Sequence, residues 1–376
     1  MTCLAVAALS ARAMAEAAAR DGFDVIALDL FGDADTRRAA SRWMGIGAAA
    51  ELRVDPDRTL AALRELARSS RAEGWVAGSG FEAQPELLAA GAALLPLLGT
   101  APEAVAAVRA PRRFFGVLDE LRIAHPPVQW RLPDDGAGWL VKDALACGGG
   151  HVRRLAGHRG GALPPQHYVQ REQHGTPMSA TFVADGRRSQ VWGCNQQLVR
   201  GTGARPYRFG GVIGPVPLPP AVAAEVARAV AGVTQAFALR GVCGLDFLLD
   251  GDQIAVLEVN PRPPASIALY DHLATMQAHW RACREGVLPA APGHRGSTVV
   301  NGTEIVFARR ALVLGNAALK LLATWPDAHD VPGAAGVVPA GHPVCSLGAS
   351  AQDATELRAL LAARRDALTT SLEKAA

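Results

Sequence analysis

The residues best suited to chemistry lie in one short stretch of the sequence, positions 245–262. Two apolar segments flank an Asp-Gly turn there, which predicts a pair of strands joined by a tight hairpin. Side chains alternate along a strand, so Glu258 and Asn260 should share one face, with Arg262 as a further candidate for it. The hairpin can then fold Asp246, twelve positions before Glu258, against that face.

Carboxylate and amide oxygens gathered in this way suit Mg²⁺ that is bound together with the phosphates of a substrate. A guanidinium beside them could contact the same phosphates. The competing interpretation is an edge hairpin whose charges are solvated and bind nothing. The Asn-Pro-Arg sequence that ends the hairpin favours a site over that alternative.

A second group of candidates lies upstream, where Lys142 ends a predicted strand and Gly148, Gly149 and Gly150 form a loop. Glycines leave the backbone free to close over phosphates and to offer its N–H groups. The lysine would add a point charge for the α- or β-phosphate. Glycine-rich hairpin tips are common, so the loop alone is a weak indication.

Taken together, these residues resemble the ATP-grasp superfamily, which includes biotin carboxylase, D-alanine–D-alanine ligase and many carboxylate–amine ligases. The order along the chain also matches: a strand lysine, the glycine loop, then the acidic hairpin. The resemblance implies ATP and Mg²⁺, with Mn²⁺ as an alternative metal. It implies that Asp246, Glu258 and Asn260 hold the metal. Arg262 would steady the transferred phosphate, and Lys142 would bind ATP and take part in catalysis.

The same resemblance suggests where the adenine binds. Gln170, Arg171 and Glu172 occupy the position of the hinge between the two halves of the grasp. The Gln170 carbonyl and the Glu172 amide are the candidates for the purine edge. A polar strand followed by a turn is an equally good interpretation of this stretch.

A glycine-rich segment between 198 and 207 is expected to line the mouth of the site, where substrate specificity is usually set. Arg208 could meet an anionic substrate there, although an exposed arginine needs no special role. The loop that follows the hairpin is expected to contact the acceptor substrate, the molecule that receives the activated group. The substrate candidates are therefore Arg208, Gly211 and Ser266.

Two further stretches bear on how far the resemblance extends. ATP-grasp chains often place a lysine at the head of the helix near residue 111, whereas this chain has Pro111 with Arg112 and Arg113 alongside. Either arginine could replace the lysine, or both could be surface residues. The run 29–36 is similar to a carboligase-like subgroup that includes the tyramine–glutamate ligases of methanofuran synthesis. A loop of turn formers with a helix cap would give the same sequence.

The chain as a whole predicts an α/β fold with an α+β core. A strand–helix–strand rhythm over 1–99 indicates a Rossmann-like parallel sheet, which resembles the domain that precedes many ATP-grasp cores. Its first turn lacks Gly-x-Gly-x-x-Gly, which disfavours a nicotinamide cofactor. The ATP-grasp domain is predicted over 100–296, with a small lobe at 100–167 and a large lobe at 168–296. Residues 297–376 are predicted to form a C-terminal subdomain.

Length and composition indicate a globular protein of two or three domains. The chain has 376 residues, 49% of them hydrophobic, and a formal net charge of +3. This slight charge does not favour a nucleic-acid partner. No apolar run reaches the ~18 residues of a membrane span, and the start lacks the basic region of a signal peptide. Six scattered cysteines without a Cys-x-x-Cys pair indicate reduced thiols in a cytoplasmic protein.

The predicted function is ATP-dependent ligation of a carboxylate to an amine, through an acyl phosphate, with ADP and phosphate as products. By resemblance, the carboxylate is glutamate or a similar amino acid. The amine would belong to a one-carbon carrier of the methanofuran or methanopterin type. Carboxylation through carboxyphosphate is one alternative, and nucleotide binding without catalysis is another. The substrates are small molecules, and the resemblance leaves a homodimer open.

Overall fold

The computed structural model describes residues 1–69, 71–155, 161–203, 205–290 and 299–375. Its N-terminal region begins as a strand–helix–strand unit, as the sequence predicts. The elements of this region are β1 (Cys3–Ala7), α1 (Arg12–Arg20), β2 (Asp24–Asp29), α2 (Ala34–Ala39), β3 (Arg42–Gly45), β4 (Gly47–Ala48), β5 (Arg53–Val54), α3 (Pro56–Ser69), β6 (Gly74–Ala77) and α4 (Pro85–Leu94).

Four of these strands form a parallel sheet in the order β3-β2-β1-β6. β1 and β2 are apolar and buried along almost their whole length because helices cover both faces of the sheet. Asp29, at the carboxyl end of β2, is fully buried. Its Oδ2 accepts the Ala11 amide at 3.0 Å, and its Oδ1 accepts the Gly32 amide at 2.9 Å. Asp29 therefore fixes the loops that follow β1 and β2.

The next region contains two short helices and a small antiparallel sheet. Its elements are α5 (Pro102–Val108), α6 (Pro111–Glu120), β7 (Val128–Gln129), β8 (Trp139–Asp143), β9 (Arg153–Arg154) and β10 (His167–Arg171). The strand order is β7-β10-β8-β9. α6 buries Phe114, Phe115 and Leu118 in the core that it shares with the larger sheet.

Long strands make up the following region. Its elements are β11 (Thr176–Asp185), β12 (Ser189–Val199), β13 (Phe209–Val216), α7 (Pro220–Phe237), β14 (Arg240–Asp250), β15 (Gln253–Asn260), the 3₁₀ helix η1 (Ala265–Leu269) and α8 (Thr275–Arg284). α7 packs the stripe Val222, Val226 and Val230 onto one face of these strands, where Phe182 and Phe247 are fully buried. The apolar spacing of three and four residues explains why this segment is a helix.

The C-terminal residues continue the same sheet. Their elements are β16 (Val300–Phe307), β17 (Leu312–Leu314), α9 (Asn316–Thr324), β18 (Ala328–His329), β19 (Gly336–Val338), β20 (Pro343–Ala351) and α10 (Ala354–Ala375). β16 pairs with β13, which gives an antiparallel sheet in the order β15-β14-β11-β12-β13-β16-β20-β18. The predicted division at 297 stays a prediction, and main-chain pairing crosses it.

A buried histidine connects the N-terminal region to the large sheet. His279, on α8, accepts the Val242 amide through Nδ1 at 2.9 Å, and its Nε2 lies 2.9 Å from the Leu98 carbonyl. Both contacts require the neutral ring with the proton on Nε2. Burial lowers the pKa of His279 to about 4. Across the described ranges, no helix has the length and apolarity needed to cross a bilayer.

Candidate functional site

The hairpin of β14 and β15 brings its three predicted metal ligands together. Asp246 pairs with Glu258 across the two strands, and a β-bulge follows directly after Asp246. Asn260 lies two residues beyond Glu258, so both side chains leave the same face. Asn260 Nδ2 donates to Asp246 Oδ2 at 3.2 Å.

The charges of Asp246 and Glu258 favour the binding of a cation at this position. Asp246 lies deep inside the molecule, although the cavity still reaches it. Burial, and then the adjacent charge of Glu258, raise the pKa of Asp246 above its usual range. Two carboxylates that repel each other at the base of a cavity are the donor set that a divalent ion would neutralise.

Arg262 is held beside this group by a partner from the N-terminal region. Its Nε lies 2.5 Å from Glu82 Oε1, and one of its Nη atoms donates to Asn260 Oδ1 at 3.0 Å. Burial opposes ionisation of Glu82, but Arg262 and Arg109 outweigh it and hold the pKa of Glu82 below its usual range. Glu82 lies in the loop after β6, and the sequence pattern gave it no role in the site.

Lys142 approaches the hairpin from the smaller sheet. It lies on β8, opposite Tyr168 of β10, and its Nζ donates to Gln170 Oε1 at 2.7 Å. Burial lowers the pKa of Lys142, while the charges of Glu258 and Asp246 oppose that shift. The two sheets thus place a cation and a carboxylate pair in one electrostatic environment.

The glycine loop rests against the large sheet. The Phe209 amide donates to the Gly148 carbonyl at 2.9 Å. Gly148 and Gly149 have positive φ angles of 70° and 68°, where a side chain is unfavourable. A Cβ on Gly149 would also lie 2.0 Å from the Tyr207 carbonyl oxygen, whereas one on Gly150 would meet nothing within 4 Å. Gly148 and Gly149 are therefore required by the backbone, and Gly150 is not.

Two buried nitrogen atoms in this part of the cavity have no hydrogen-bond partner among the described residues. They are His151 Nδ1, directly after the glycine loop, and Gln170 Nε2, beside Lys142. Buried polar atoms are normally satisfied. An oxygen-rich ligand would satisfy both atoms, which makes this end of the cavity suitable for a polyphosphate. His151 has no distinguishing signal in the sequence.

A second arginine, which the sequence pattern did not single out, supports the site from behind. Arg109 lies between α5 and α6, its side chain is 7% exposed, and it contacts Glu258 Oε2 at 3.4 Å. It also donates to the Ala144 carbonyl at 2.5 Å and to the Ala146 carbonyl at 2.7 Å. It therefore fixes Glu258 relative to the segment that leads into the glycine loop.

The two arginines that were candidates to replace the missing lysine lie on the surface. Arg112 and Arg113 are both exposed, and the Arg112 guanidinium stacks over the Trp130 ring at 4.5 Å. Of the two interpretations left open at Pro111, the structure therefore supports surface residues. Arg109, two residues before Pro111, is the buried cation of this segment.

The predicted adenine hinge needs one correction. Gln170 and Glu172 line the cavity, but the Glu172 amide donates to the Gly138 carbonyl at 2.9 Å and is not available to a purine. Arg171 also lines the cavity and donates through Nη1 to the Ala137 carbonyl at 3.0 Å. Within the described chain, the amide of the next residue, Gln173, has no such partner. It is the better candidate for the purine edge.

The three substrate candidates have different environments. Arg208 donates to the Arg200 and Gly341 carbonyls and stacks over Phe307 at 3.6 Å, so its guanidinium is used within the fold. Arg208 is not among the residues that line the cavity, and its role in substrate binding stays a prediction. Gly211 and Ser266 do line the cavity.

One cavity of about 940 Å³ is lined by the three predicted metal ligands, by Lys142 and Arg262, and by Gly148, Gly149 and His151. It runs from Lys142 and the hairpin to the carboxyl end of the N-terminal sheet, where Ser10, Phe31 and Asp33 line it. The loop after β18 contributes Pro332 to the same wall. The cavity is larger than the polyphosphate end alone requires, so it has room for further reactants.

Three sheets form this cavity together. They are the parallel N-terminal sheet, the small antiparallel sheet with the glycine loop, and the larger antiparallel sheet with the acidic hairpin. Residues 113–266 match the family model described as ATP-grasp domain. The chain has the ATP-grasp fold. The fold class predicted from the sequence is thereby confirmed. No curated protein gives a match to the sequence.

Several solved structures superpose on nearly the whole chain at low sequence identity. L-amino acid ligase from Bacillus licheniformis is 15% identical over 97% of both chains, with a TM-score of 0.67. Biotin carboxylase from Campylobacter jejuni is 13% identical over 98% of this chain and 95% of its own, with a TM-score of 0.70. N5-carboxyaminoimidazole synthetase from Staphylococcus aureus is 14% identical over 97% of both chains, with a TM-score of 0.66.

Proposed function

We propose that this protein is an ATP-dependent ligase that joins a carboxylate to an amine and releases ADP and phosphate. One observation carries the proposal. Asp246, Glu258 and Asn260 form an oxygen cluster that shares a single cavity with Lys142 and Arg262. This combination of cations and hard oxygen ligands is suited to a nucleoside triphosphate with its metal ion.

Magnesium, when bound, would neutralise charge on the β- and γ-phosphates, and Asp246, Glu258 and Asn260 are the residues that would hold it. Manganese offers the same coordination chemistry. The fit rests on the mutual repulsion of Asp246 and Glu258, because two carboxylates at the base of a cavity need a compensating charge.

The protein side chains would contribute mainly orientation and charge. Lys142 and the amides of the glycine loop would hold the polyphosphate. Arg262, fixed in place by Glu82, would stabilise the phosphoryl group as it passes from ATP to the substrate carboxylate. The amine would then displace that phosphate from the acyl group and form the amide. Neither of these two reaction steps requires a nucleophilic side chain.

The identity of the two substrates stays a prediction. Resemblance suggests glutamate or a similar amino acid as the carboxylate, and an amine of a methanofuran or methanopterin type carrier. L-amino acid ligase, which shares the fold, is by its name a ligase of amino acids. Homodimer formation and a cytoplasmic location also stay predictions.

A second candidate is carboxylation through carboxyphosphate. It is favoured by the structural likeness to biotin carboxylase and to N5-carboxyaminoimidazole synthetase. In that case bicarbonate would take the place of the carboxylate substrate. Binding of a nucleotide without catalysis is the remaining alternative.

ADP release separates these possibilities. We expect purified protein with ATP and Mg²⁺ to release ADP when a mixture of amino acids and amines is supplied, and not with the amines alone, because they have no carboxylate to phosphorylate. Glu258→Gln should abolish this release while circular dichroism stays unchanged. Asp250→Asn, on the exposed turn of the same hairpin, is the matched control and should keep full activity.

Each other result selects a different function. ADP release that needs bicarbonate and no amino acid would support the carboxylase. Tight binding of ATP without ADP release from any mixture would support a non-catalytic protein. Equal activity in Glu258→Gln and Asp250→Asn would contradict the assignment of the hairpin as the metal site.

A further inference from the structure

One carboxylate on the wall of the cavity has no partner. Asp33 directly precedes α2, where an aspartate usually caps the helix, but its side chain makes no capping hydrogen bond. The residue is only 5% exposed, and it lines the same cavity as Lys142 and Glu258. Among the residues that the structure describes, no hydrogen bond or ion pair reaches its carboxylate.

The neighbouring acidic groups, in contrast, are compensated. Asp330 accepts hydrogen bonds from Arg12 Nε at 2.9 Å and from Ser346 Oγ at 2.6 Å. Asp35 accepts the Asp330 amide at 2.7 Å, and its Oδ2 lies 3.8 Å from Arg12 Nε. Arg12 is therefore shared among Glu16, Asp330 and Asp35, which leaves Asp33 as the carboxyl group without a direct partner.

A carboxylate in this position is costly to the fold. Burial, followed by the charges of Asp330, Asp29 and Asp35, raises the pKa of Asp33 to about 8. Folding alone gives no reason to keep an uncompensated acid there. Binding sites, however, often retain destabilising groups that a ligand later satisfies. A cation that enters the cavity would pair with Asp33 and remove the cost.

The surroundings of Asp33 indicate what that cation is attached to. Phe31, two residues earlier, lines the cavity. Pro332 also lines it, on the loop whose Val331 carbonyl accepts the Ala34 amide at 2.9 Å. One free carboxylate beside apolar surfaces suits an ammonium group on an apolar body. A metal ion would need several oxygen ligands.

We propose that Asp33 binds the ammonium group of the amine substrate, whose apolar body packs against Phe31 and Pro332. The inference rests on the ligase function proposed above for the role of this amine as a reactant. It places the amine substrate at the carboxyl end of the N-terminal sheet. The phosphates would lie beside Lys142, with the substrate carboxylate between them and the amine. The Asp33 carboxylate would take a proton from the ammonium group before its nitrogen attacks the acyl phosphate, from which phosphate then leaves.

Binding of a charged probe and its neutral analogue tests the proposal. Isothermal titration of the full chain with benzylamine and with benzyl alcohol, without ATP or metal, should show a preference of roughly tenfold or more for the amine. Asp33→Asn should lose that preference. Asp57→Asn makes the same change of charge on the exposed surface of the N-terminal region and should retain it.

Thermal unfolding of Asp33→Asn supplies a second test. A ligand-binding role and a structural role of Asp33 predict opposite shifts of the unfolding midpoint. If Asp33 is kept for a ligand, Asp33→Asn should raise the midpoint of unfolding at neutral pH, because a carboxyl group whose pKa rises to about 8 on folding destabilises the protein and Asn does not. A lower midpoint would show that Asp33 supports the fold and would overturn the proposal.

Equal binding of the two probes by the unaltered protein, or binding of neither at millimolar concentration, would also overturn it. So would a preference for benzylamine that survives in Asp33→Asn. These titrations contain no nucleotide. A failure of the amine proposal is therefore distinguishable from a failure of ATP turnover, which the release of ADP measures separately.

Discussion

The three glycines of the phosphate loop allow two structural effects to be measured separately by alanine substitution. Gly150→Ala adds a methyl group into open space at an ordinary φ angle. Gly148→Ala also meets no atom within 4 Å, but it must adopt a φ of +70°. Gly149→Ala combines a φ of +68° with a Cβ only 2.0 Å from the Tyr207 carbonyl oxygen.

The expected magnitudes follow from these environments. A positive φ in a residue other than glycine costs about 1–2 kcal/mol. Gly148→Ala should therefore weaken nucleotide binding roughly tenfold, because relief of this strain moves the loop out of the conformation that offers its amides to the phosphates. In Gly149→Ala the loop must also move away from Tyr207, since no contact as short as 2.0 Å can persist. We expect a loss of roughly a hundredfold or more for this variant.

Titration of a fluorescent ATP analogue in the presence of Mg²⁺ measures these effects without any knowledge of the other substrates. Urea unfolding of each variant shows whether the fold as a whole is retained. The reasoning requires the order Gly150→Ala, Gly148→Ala, Gly149→Ala, from the smallest loss of affinity to the largest. Equal affinities for Gly149→Ala and Gly150→Ala would refute it.

Three further substitutions test contacts around the site. Arg109→Met should weaken nucleotide binding roughly tenfold to a hundredfold and lower the free energy of unfolding, because charge-assisted hydrogen bonds contribute about 1.5–3 kcal/mol each. Glu82→Gln should destabilise the nucleotide-free protein by about 3 kcal/mol, since it leaves Arg262 unpaired, and MgATP should restore part of the loss by binding the folded state. His279 has a pKa of about 4 in the folded protein, below its ordinary value of 6.5. The contribution of its neutral ring to the free energy of unfolding is therefore complete above pH 6.5 and is lost as the pH falls towards 4. That difference corresponds to about 3 kcal/mol, and His279→Gln, which keeps a donor and an acceptor, should flatten the pH dependence of urea unfolding over this range.

The first two of these predictions have a control variant. For Arg109→Met the control is Arg112→Met, which changes an exposed arginine three positions further along the chain. It should leave nucleotide affinity unchanged. Glu86→Gln, which is exposed on α4, should leave the free energy of unfolding unchanged. A larger effect from either control than from its partner, or an unaltered pH profile in His279→Gln, would show that the corresponding contact has been misinterpreted.

The sequence by itself determined those parts of the site that depend on local periodicity. Glu258 and Asn260 share a face because they are two residues apart on one strand, and a tight turn brings Asp246 opposite Glu258. Glycine at positions 148 and 149 permits the positive φ angles found there, although the neighbouring Gly150 shows that residue type alone does not fix them. The ATP-grasp fold was therefore predictable from short motifs and from their order along the chain.

Only the tertiary structure decided which distant side chains support these motifs. Glu82 meets Arg262 across 180 positions, and Arg109 meets Glu258 across 149. No periodicity relates such positions, because packing of separate sheets and loops sets these distances. The same applies to the Glu172 amide, which is already bonded to the Gly138 carbonyl. It applies also to Asp33, whose sequence position suggests a helix cap and whose side chain instead faces the cavity.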